Sequence, residues 1–432
     1  MKNRILIIGL SLFFLIHGSI NAQEVKSVHN LFKALKSHPQ TKGDVLASEK
    51  ATIGKQMAFS NLFPTISAYT SFDSSSDPTG MVPVTPNGSS YMVQHQEIPQ
   101  PFSDQIFKAG LSVSMPVFIK SIYTTANEAK HLQKSAQAKQ QINLLQNEAI
   151  IVSSNANLLY LDAFTKALES KKTSLLKTKE IIEAQVKNGR ASGSSLLIIN
   201  SSIQQVEATK NEIEINKEQA ISTIETLTGI RVDNPIQMFE SSVIDSSALK
   251  SLEPLEQKVL ADKLAYRAEK EKLLPSIALR ANYTYSSGIA YNNDISVSPD
   301  FSTIGVVVSV PIFDKKQLTQ IKKSKLNYDA TSNEFEKLEL SLKSQAIQLK
   351  NSLQLLYKSE NLYQQSIQDK EEILNIEKVS FQSGRITIED YLKYEDDLVL
   401  EKSKLYKAQA EKWQTLVKLA VIYGNNIENL VK

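Results

Sequence analysis

The chain states one plan twice, at a fixed offset of 195 residues. Val186-Lys187-Asn188-Gly189-Arg190 and Phe381-Gln382-Ser383-Gly384-Arg385 each close a long stretch in a Gly-Arg turn. The same offset carries Val113-Ser114-Met115-Pro116-Val117-Phe118 onto Val308-Ser309-Val310-Pro311-Ile312-Phe313, and Thr228-Gly229 onto Tyr423-Gly424. A copied strand, long helix, tight turn and return helix are one supersecondary unit used twice. Any fold for this chain must therefore hold two copies of an elongated hairpin.

Between the copied landmarks the helix signal is strong. Neither Pro nor Gly occurs from Val117 to Asn188 or from Ile312 to Ser383. Helices over these stretches would each reach roughly 100 Å at about 1.5 Å per residue. Leu161, Leu168, Leu175 and Ile182 recur at seven, as do Leu342, Leu349, Leu356 and Tyr363. That interval predicts coiled-coil seams rather than a globular core. The return helices, about 192–227 and 387–422, are half as long. The packing of residues 230–274 is left open by the pattern.

Strand signals precede each long helix. Ile66, Ala68, Thr70 and Phe72 alternate with Thr65, Ser67, Tyr69 and Ser71. Phe107, Ala109, Leu111, Val113 and Met115 alternate with Lys108, Gly110, Ser112 and Ser114. In the second copy Ile277, Leu279, Ala281, Tyr283 and Tyr285 oppose Ala278, Arg280, Asn282, Thr284 and Ser286; Ile304, Val306, Val308 and Val310 oppose Thr303, Gly305, Val307 and Ser309. Such alternation marks a strand with two environments. A sandwich strand on a soluble core would alternate too. Strand length, terminal tyrosines and a polar second face favour a lipid-facing barrel. Residues 73–105 and 287–300 read as loops without Lys or Arg, and their acidic residues suit an extracellular position.

Four strands cannot close a membrane barrel, whose open edges would leave backbone groups unpaired in hydrocarbon. Two or three chains are therefore required. Three would leave a lumen lined by Lys108, Arg280 and the Ser, Thr and Asn side chains.

Residues 1–22 have the basic start, short apolar core and small-residue end of a secretory signal. The chain has no cysteine, which excludes a disulfide framework and lipoprotein acylation on an N-terminal Cys. A formal charge of +3, with no aromatic-basic interleaving, gives no case for nucleic acid. The five histidines have no metal-ligand spacing and no nucleophile or phosphate motif emerges, so no enzyme, cofactor or metal is expected.

In this order and duplication the chain resembles the TolC-like outer-membrane efflux proteins. The resemblance rests on both half-repeats, Leu62-Phe63-Pro64 and Leu273-Leu274-Pro275 ahead of each hairpin, Pro311-Ile312-Phe313-Asp314 after the second, and the two Gly-Arg turns. It implies a mainly α fold: long helical hairpins forming a trimeric α-barrel, with four strands per chain completing a twelve-stranded transmembrane β-barrel. It implies a homotrimer in outer-membrane lipid of a Gram-negative cell, reaching into the periplasm. It also implies docking to a periplasmic adaptor (membrane fusion protein) and an inner-membrane transporter. The function so implied is a passive exit duct of a tripartite efflux pump or type I secretion system. A periplasmic coiled-coil adaptor is the alternative, although one would have a single hairpin. One departure stands out: Lys315-Lys316 follow the second Pro-x-Phe-Asp run, and the first copy lacks its Asp.

The resulting division is a signal over 1–22, a first repeat over 23–229, an equatorial connection over 230–250, a second repeat over 251–424 and an end at 425–432. Within the repeats, β-hairpins occupy 65–117 and 276–312, and helical hairpins 118–229 and 313–424. Gly189, Arg190, Gly384 and Arg385 are structural stops, and by resemblance also adaptor-docking tips. Asp390 fits a capping box with Thr387. By resemblance it is also a periplasmic gate residue, with Tyr394 and Asp397 on the same helix face. The family's Tyr and Arg latch positions are Phe381 and Ile386 here, so that latch is expected to be absent. Glu395-Asp396-Asp397 reads as a solvated face.

Overall fold

The structure, a computed structural model, describes residues 27–432, so the signal read over 1–22 lies outside the described residues. In chain order the elements are α1 (Val28–Ser37), α2 (Pro39–Ser60), β1 (Thr65–Gly80), α3 (Pro86–Gln94), β2 (Phe102–Phe118), α4 (Lys120–Lys187), α5 (Gly193–Thr228), α6 (Glu253–Glu271), β3 (Ser276–Ile289), β4 (Ser296–Val297), β5 (Asp300–Ser309), α7 (Lys315–Gln382) and α8 (Ile388–Tyr423). The two long helices have 68 residues each and the two return helices 36 each. The repeat offset holds at both ends of every one of these four helices.

Local chemistry explains where they start and stop. Asp314 caps α7 by accepting from the Gln317 N–H at 2.9 Å, whereas Ile119 at the matching position of α4 offers no side-chain cap. Gly229 and Gly424 end the return helices in the left-handed conformation, with φ of 70° and 67°.

The helices form a wall. In its lower half α5, α4, α8 and α7 lie side by side; in its upper half the order is α2, α4, α6, α7. Thus α6 fills the space above α8, the placement left open by the pattern. Residues 230–250 run round the waist and pair with the C-terminus through Glu240 and Val431; the Phe239 N–H donates to the Lys432 carbonyl at 2.8 Å. Asn155, fully buried on α4, grips this segment through both backbone groups of Ile236 at 2.6 and 2.9 Å. Around it Leu31, Phe32, Ile151, Val152, Ile224, Val417 and Ile427 make the waist core.

Below the waist, Leu161, Leu168, Leu175 and Ile182 are buried against Ile199, Val206 and Ile213, a second seven-residue series on α5. Each such side chain contributes about 1.5–3 kcal/mol. The seam on α7 behaves differently: Leu342, Leu349, Leu356 and Tyr363 are only half-buried. Beside them Leu340, Ile347, Leu355 and Leu362 stand exposed, because α7 ends the row of helices in this chain.

Above the wall is one antiparallel sheet in the order β1-β2-β3-β5, with the short β4 paired to the far end of β3. Two sequence expectations need correction here. β1 runs to Gly80, beyond its alternating part, because backbone pairing resumes at Thr79 and Gly80 after an irregularity past Ser74. Pairing of main-chain groups does not need alternating side chains, so the pattern missed this extension. The remaining loop, 81–101, contains α3, which starts at Pro86 with the Thr85 hydroxyl capping the Gly88 N–H. The second expected loop, 287–300, is likewise partly paired: β3 runs to Ile289 and the two-residue β4 forms inside the loop, beside the four long strands expected.

Candidate functional site

Register fixes two faces on the sheet. Directly paired residues share a face, so Ile66, Val113, Ala281 and Ile304 form one row, with Met115, Leu279 and Val306 beside it. Ala68, Leu111 and Tyr283 form a further row, and Phe72 pairs with Phe107. This apolar face is open: Ile304 is 78% exposed, Ile66 and Phe72 66% each, and Val306 65%.

The opposite face has Thr65, Ser114, Arg280 and Gly305 in one row, then Ser67, Ser112, Asn282 and Thr303, then Tyr69, Gly110, Thr284 and Phe301. Ser67 and Ser112 share a hydrogen bond of 2.7 Å. Lys108 lies farther along this face and pairs with Asp73 at 3.0 Å. Arg280 is exposed and makes no ion pair among the described residues. The two cations expected together from sequence thus differ: one is neutralised, one is not. The free edges of β1 and β5 have no partner strand among the described residues.

At the other end of the wall the two tips are alike. Gly189 and Gly384 have φ of 72° and 73°, and neither would bring a Cβ within 4 Å of another heavy atom. The Arg190 N–H donates to the Gln185 carbonyl at 2.8 Å, and Arg385 to Ser380 at 2.9 Å, the six-to-one bond that closes a Schellman turn. All four tip residues are exposed.

Asp390 completes a capping box. Its backbone N–H donates to the Thr387 hydroxyl at 3.2 Å, and its Oδ2 accepts from the Thr387 N–H at 3.3 Å and hydroxyl at 2.8 Å. Its side chain is exposed, while Tyr394 and Asp397 on the same helix face are half-buried.

Glu395 corrects the solvated reading of the acidic run. It is 3% exposed and accepts from the Tyr391 hydroxyl at 2.7 Å and from Ser174 of α4 at 2.5 Å. Burial, chiefly, pushes the Tyr391 phenol up to about 12, so it remains a donor. The Tyr391 ring stacks on Phe381 with centroids 5.1 Å apart, and Asp396 pairs with Lys171 of α4. Ile388, Tyr391, Glu395 and Leu398 follow the spacing of a helical seam, a signal overridden by the charges on either side. Among the described residues no group of acids and histidines could hold a metal ion, and no helix is long and apolar enough to cross a membrane.

The chain thus joins a sheet with an exposed apolar face and a hydroxyl-rich reverse to helices near 100 Å long. Residues 250–425 match the outer membrane efflux protein family. The Campylobacter jejuni CmeC outer membrane channel superposes with a TM-score of 0.77 at 17% identity, covering 92% of this chain and 85% of that one. The outer membrane protein VceC of Vibrio cholerae gives 0.77 at 16% identity, over 92% and 96% of the two chains. The open state of the Neisseria gonorrhoeae MtrE outer membrane channel gives 0.70 at 18%, over 93% and 89%. No curated protein matches the chain in sequence. The resemblance to TolC-like outer-membrane efflux proteins thus holds in the fold of the chain and in the sequence of its second repeat, and that family is one of channels.

Proposed function

We propose that the protein is the outer-membrane exit duct of a tripartite efflux pump or a type I secretion system. One observation carries this reading: an exposed apolar sheet face bounded by two unpaired strand edges. In water that face would be an aggregation hazard; in lipid the edges must pair. β5 of one copy pairs with β1 of the next. Two copies would give about eight strands, whose interior is filled by side chains; three give twelve and a lumen. The exposed leucine stripe of α7 then packs on the open helix of the neighbouring copy. This makes a homotrimer set in outer-membrane lipid and reaching into the periplasm, with residues 81–101 and 290–299 outside the cell.

Gly189, Arg190, Gly384 and Arg385 are the contact points for a periplasmic adaptor, which joins the duct to an inner-membrane transporter. Asp390, Tyr394 and Asp397 line the periplasmic entrance, where three copies of each come close around the axis. The adaptor reading leaves the apolar sheet face unexplained. Mass measurement of the detergent-solubilised protein tests the assembly: a trimer is expected, and a stable monomer would remove the reading.

A further inference from the structure

In the paired rows of the sheet's polar face, Arg280 is the one formal charge without an ion pair among the described residues. Lys108 is matched by Asp73. The other residues of the paired rows on that face, from Ser71 and Ser286 beside Lys108 to Ala278 and Val307 beyond Arg280, are uncharged. Arg280 pairs across the ladder with Ser114 on one side and Gly305 on the other, and a Cβ at Gly305 would meet nothing within 4 Å. The guanidinium therefore has hydroxyl and open space as neighbours, and no carboxylate.

Resting on the duct reading above, we propose that Arg280 forms a three-membered cationic ring inside the barrel that selects for cargo bearing carboxylate, sulfonate or phosphate groups. Twelve strands about 4.8 Å apart, tilted by about 40°, close to a backbone diameter of about 24 Å. Three long cationic side chains projecting into that bore leave no path far outside the Debye length of about 8 Å. Asp300 on β5 is the acid nearest along the strands, five residues from Gly305, but it shares the face of Ile304 and Val306 on the other side of the sheet; on the polar face the nearest is Asp73, in the row of Ile106. Eight residues separate that row from the Arg280 row, about 26 Å, and Asp73 is already paired with Lys108. Towards the helices, Asp314 is engaged in capping α7. The acids farther out, Asp77 near the end of β1, Asp104 near the start of β2, and Glu97 and Asp294 in the outer loops, stand beyond Lys108. They repel a departing anion rather than compete for Arg280, so the ring attracts and the rim does not hold.

A guanidinium is suited to this task because it presents a planar fork of donors to oxyanions and keeps its charge at any working pH. Naphthalene trisulfonate is the probe, added to the extracellular side of single channels in planar bilayers, where the periplasmic entrance does not limit access. The wild-type channel should be blocked by the trisulfonate and not by spermine at equal concentration. Arg280→Gln should weaken the block about tenfold or more, and Arg280→Lys should retain most of it, since charge accounts for the attraction. Equal block in wild type and Arg280→Gln, with normal conductance, would overturn the anion ring and leave the duct standing. Trimers that insert and conduct nothing would overturn the duct itself.

Discussion

Tyr69 and Thr284 sit on strands that are not neighbours, yet their hydroxyls meet at 2.6 Å. The strand between them, β2, places Gly110 at the crossing point. A Cβ there would fall 2.4 Å from the Tyr283 carbonyl oxygen and 2.8 Å from the Tyr69 ring. The glycine is needed for clearance, and the tyrosine uses that clearance to tie three strands on the polar face.

Gly110→Ala should therefore destabilise the sheet by about 1–3 kcal/mol per copy, as overpacking generally does. Tyr69→Phe, which removes only the hydrogen bond, should cost about 1 kcal/mol. Heat dissociation of the detergent-solubilised assembly ranks the two; a harmless Gly110→Ala would show that β2 shifts freely.

Gly384→Val strains the turn rather than crowding it, since the position is open but φ is 73°. The cost is about 1–2 kcal/mol, too little to unfold the protein. Export and adaptor cross-linking at Arg385 should fall while assembly persists. Unchanged cross-linking would reduce the tip to a structural stop.

Asp390→Asn keeps an acceptor for Thr387 and removes the charge, whereas Asp390→Ala removes both. If the carboxylates ring the entrance, the Asn variant should lose cation preference and divalent block in planar bilayers without losing heat stability. The Ala variant should lose both, with a cap penalty of about 1 kcal/mol. Selectivity identical to wild type in the Asn variant would leave Asp390 a helix cap only.

Glu395→Ala removes the shared acceptor of the Tyr391 hydroxyl and of half-buried Ser174, leaving them only their mutual contact at 3.3 Å, at a cost of about 1–3 kcal/mol. Tyr391→Phe should cost less, because Ser174 still donates to the carboxylate. A double-mutant cycle read by thermal unfolding should show the two changes to be non-additive. Simple additivity would mean that α4 and α8 are not joined through this pair.

Glu148, 3% exposed on α4, is pushed up to about 7, mainly by burial and then by Glu428, with Lys36 opposing. Lys36 itself bonds to Glu428 at 2.6 Å. The folded chain holds the Glu148 proton to about pH 7, while the unfolded chain releases it near 4.5, the ordinary value for a glutamate. Stability is therefore lost as pH rises between those values and the deficit is constant above them, on the order of 3 kcal/mol. Glu148→Gln should raise Tm more at pH 8 than at pH 5. A pH-independent shift would remove the titration from the account.

Much of this architecture is written locally. Gly189 and Gly384 end runs without breakers, so the long helices and their turns are legible from punctuation alone. Leu161, Leu168, Leu175 and Ile182 find their seam inside the chain, and the pattern identifies it. Leu342 and its successors carry the same pattern but lack a complete partner in one copy, so periodicity could not say how deeply they are buried. Residues 230–250 were opaque because they are held by backbone bonds to Asn155 and to the C-terminus, which leave no periodic trace. Glu395 was misread because neighbouring charges masked its seam position, and the far half of β1 because hydrogen-bonded main chain can continue where side chains stop alternating.

The equal lengths of α4 and α7, and of α5 and α8, act as a ruler shared by the two halves of the gene. Both tips hang from a common sheet, so each residue added to one hairpin lowers its tip by about 1.5 Å relative to the other. A heptad gained or lost in one limb would need matching changes in the other three, or the end of the shaft would become stepped. The β-hairpins carry no such requirement: their starts, Thr65 and Ser276, depart from the common offset, and the difference is absorbed before the shaft begins. Insertions and deletions among descendants of this gene should accordingly be free in the outer loops and coordinated in the helices.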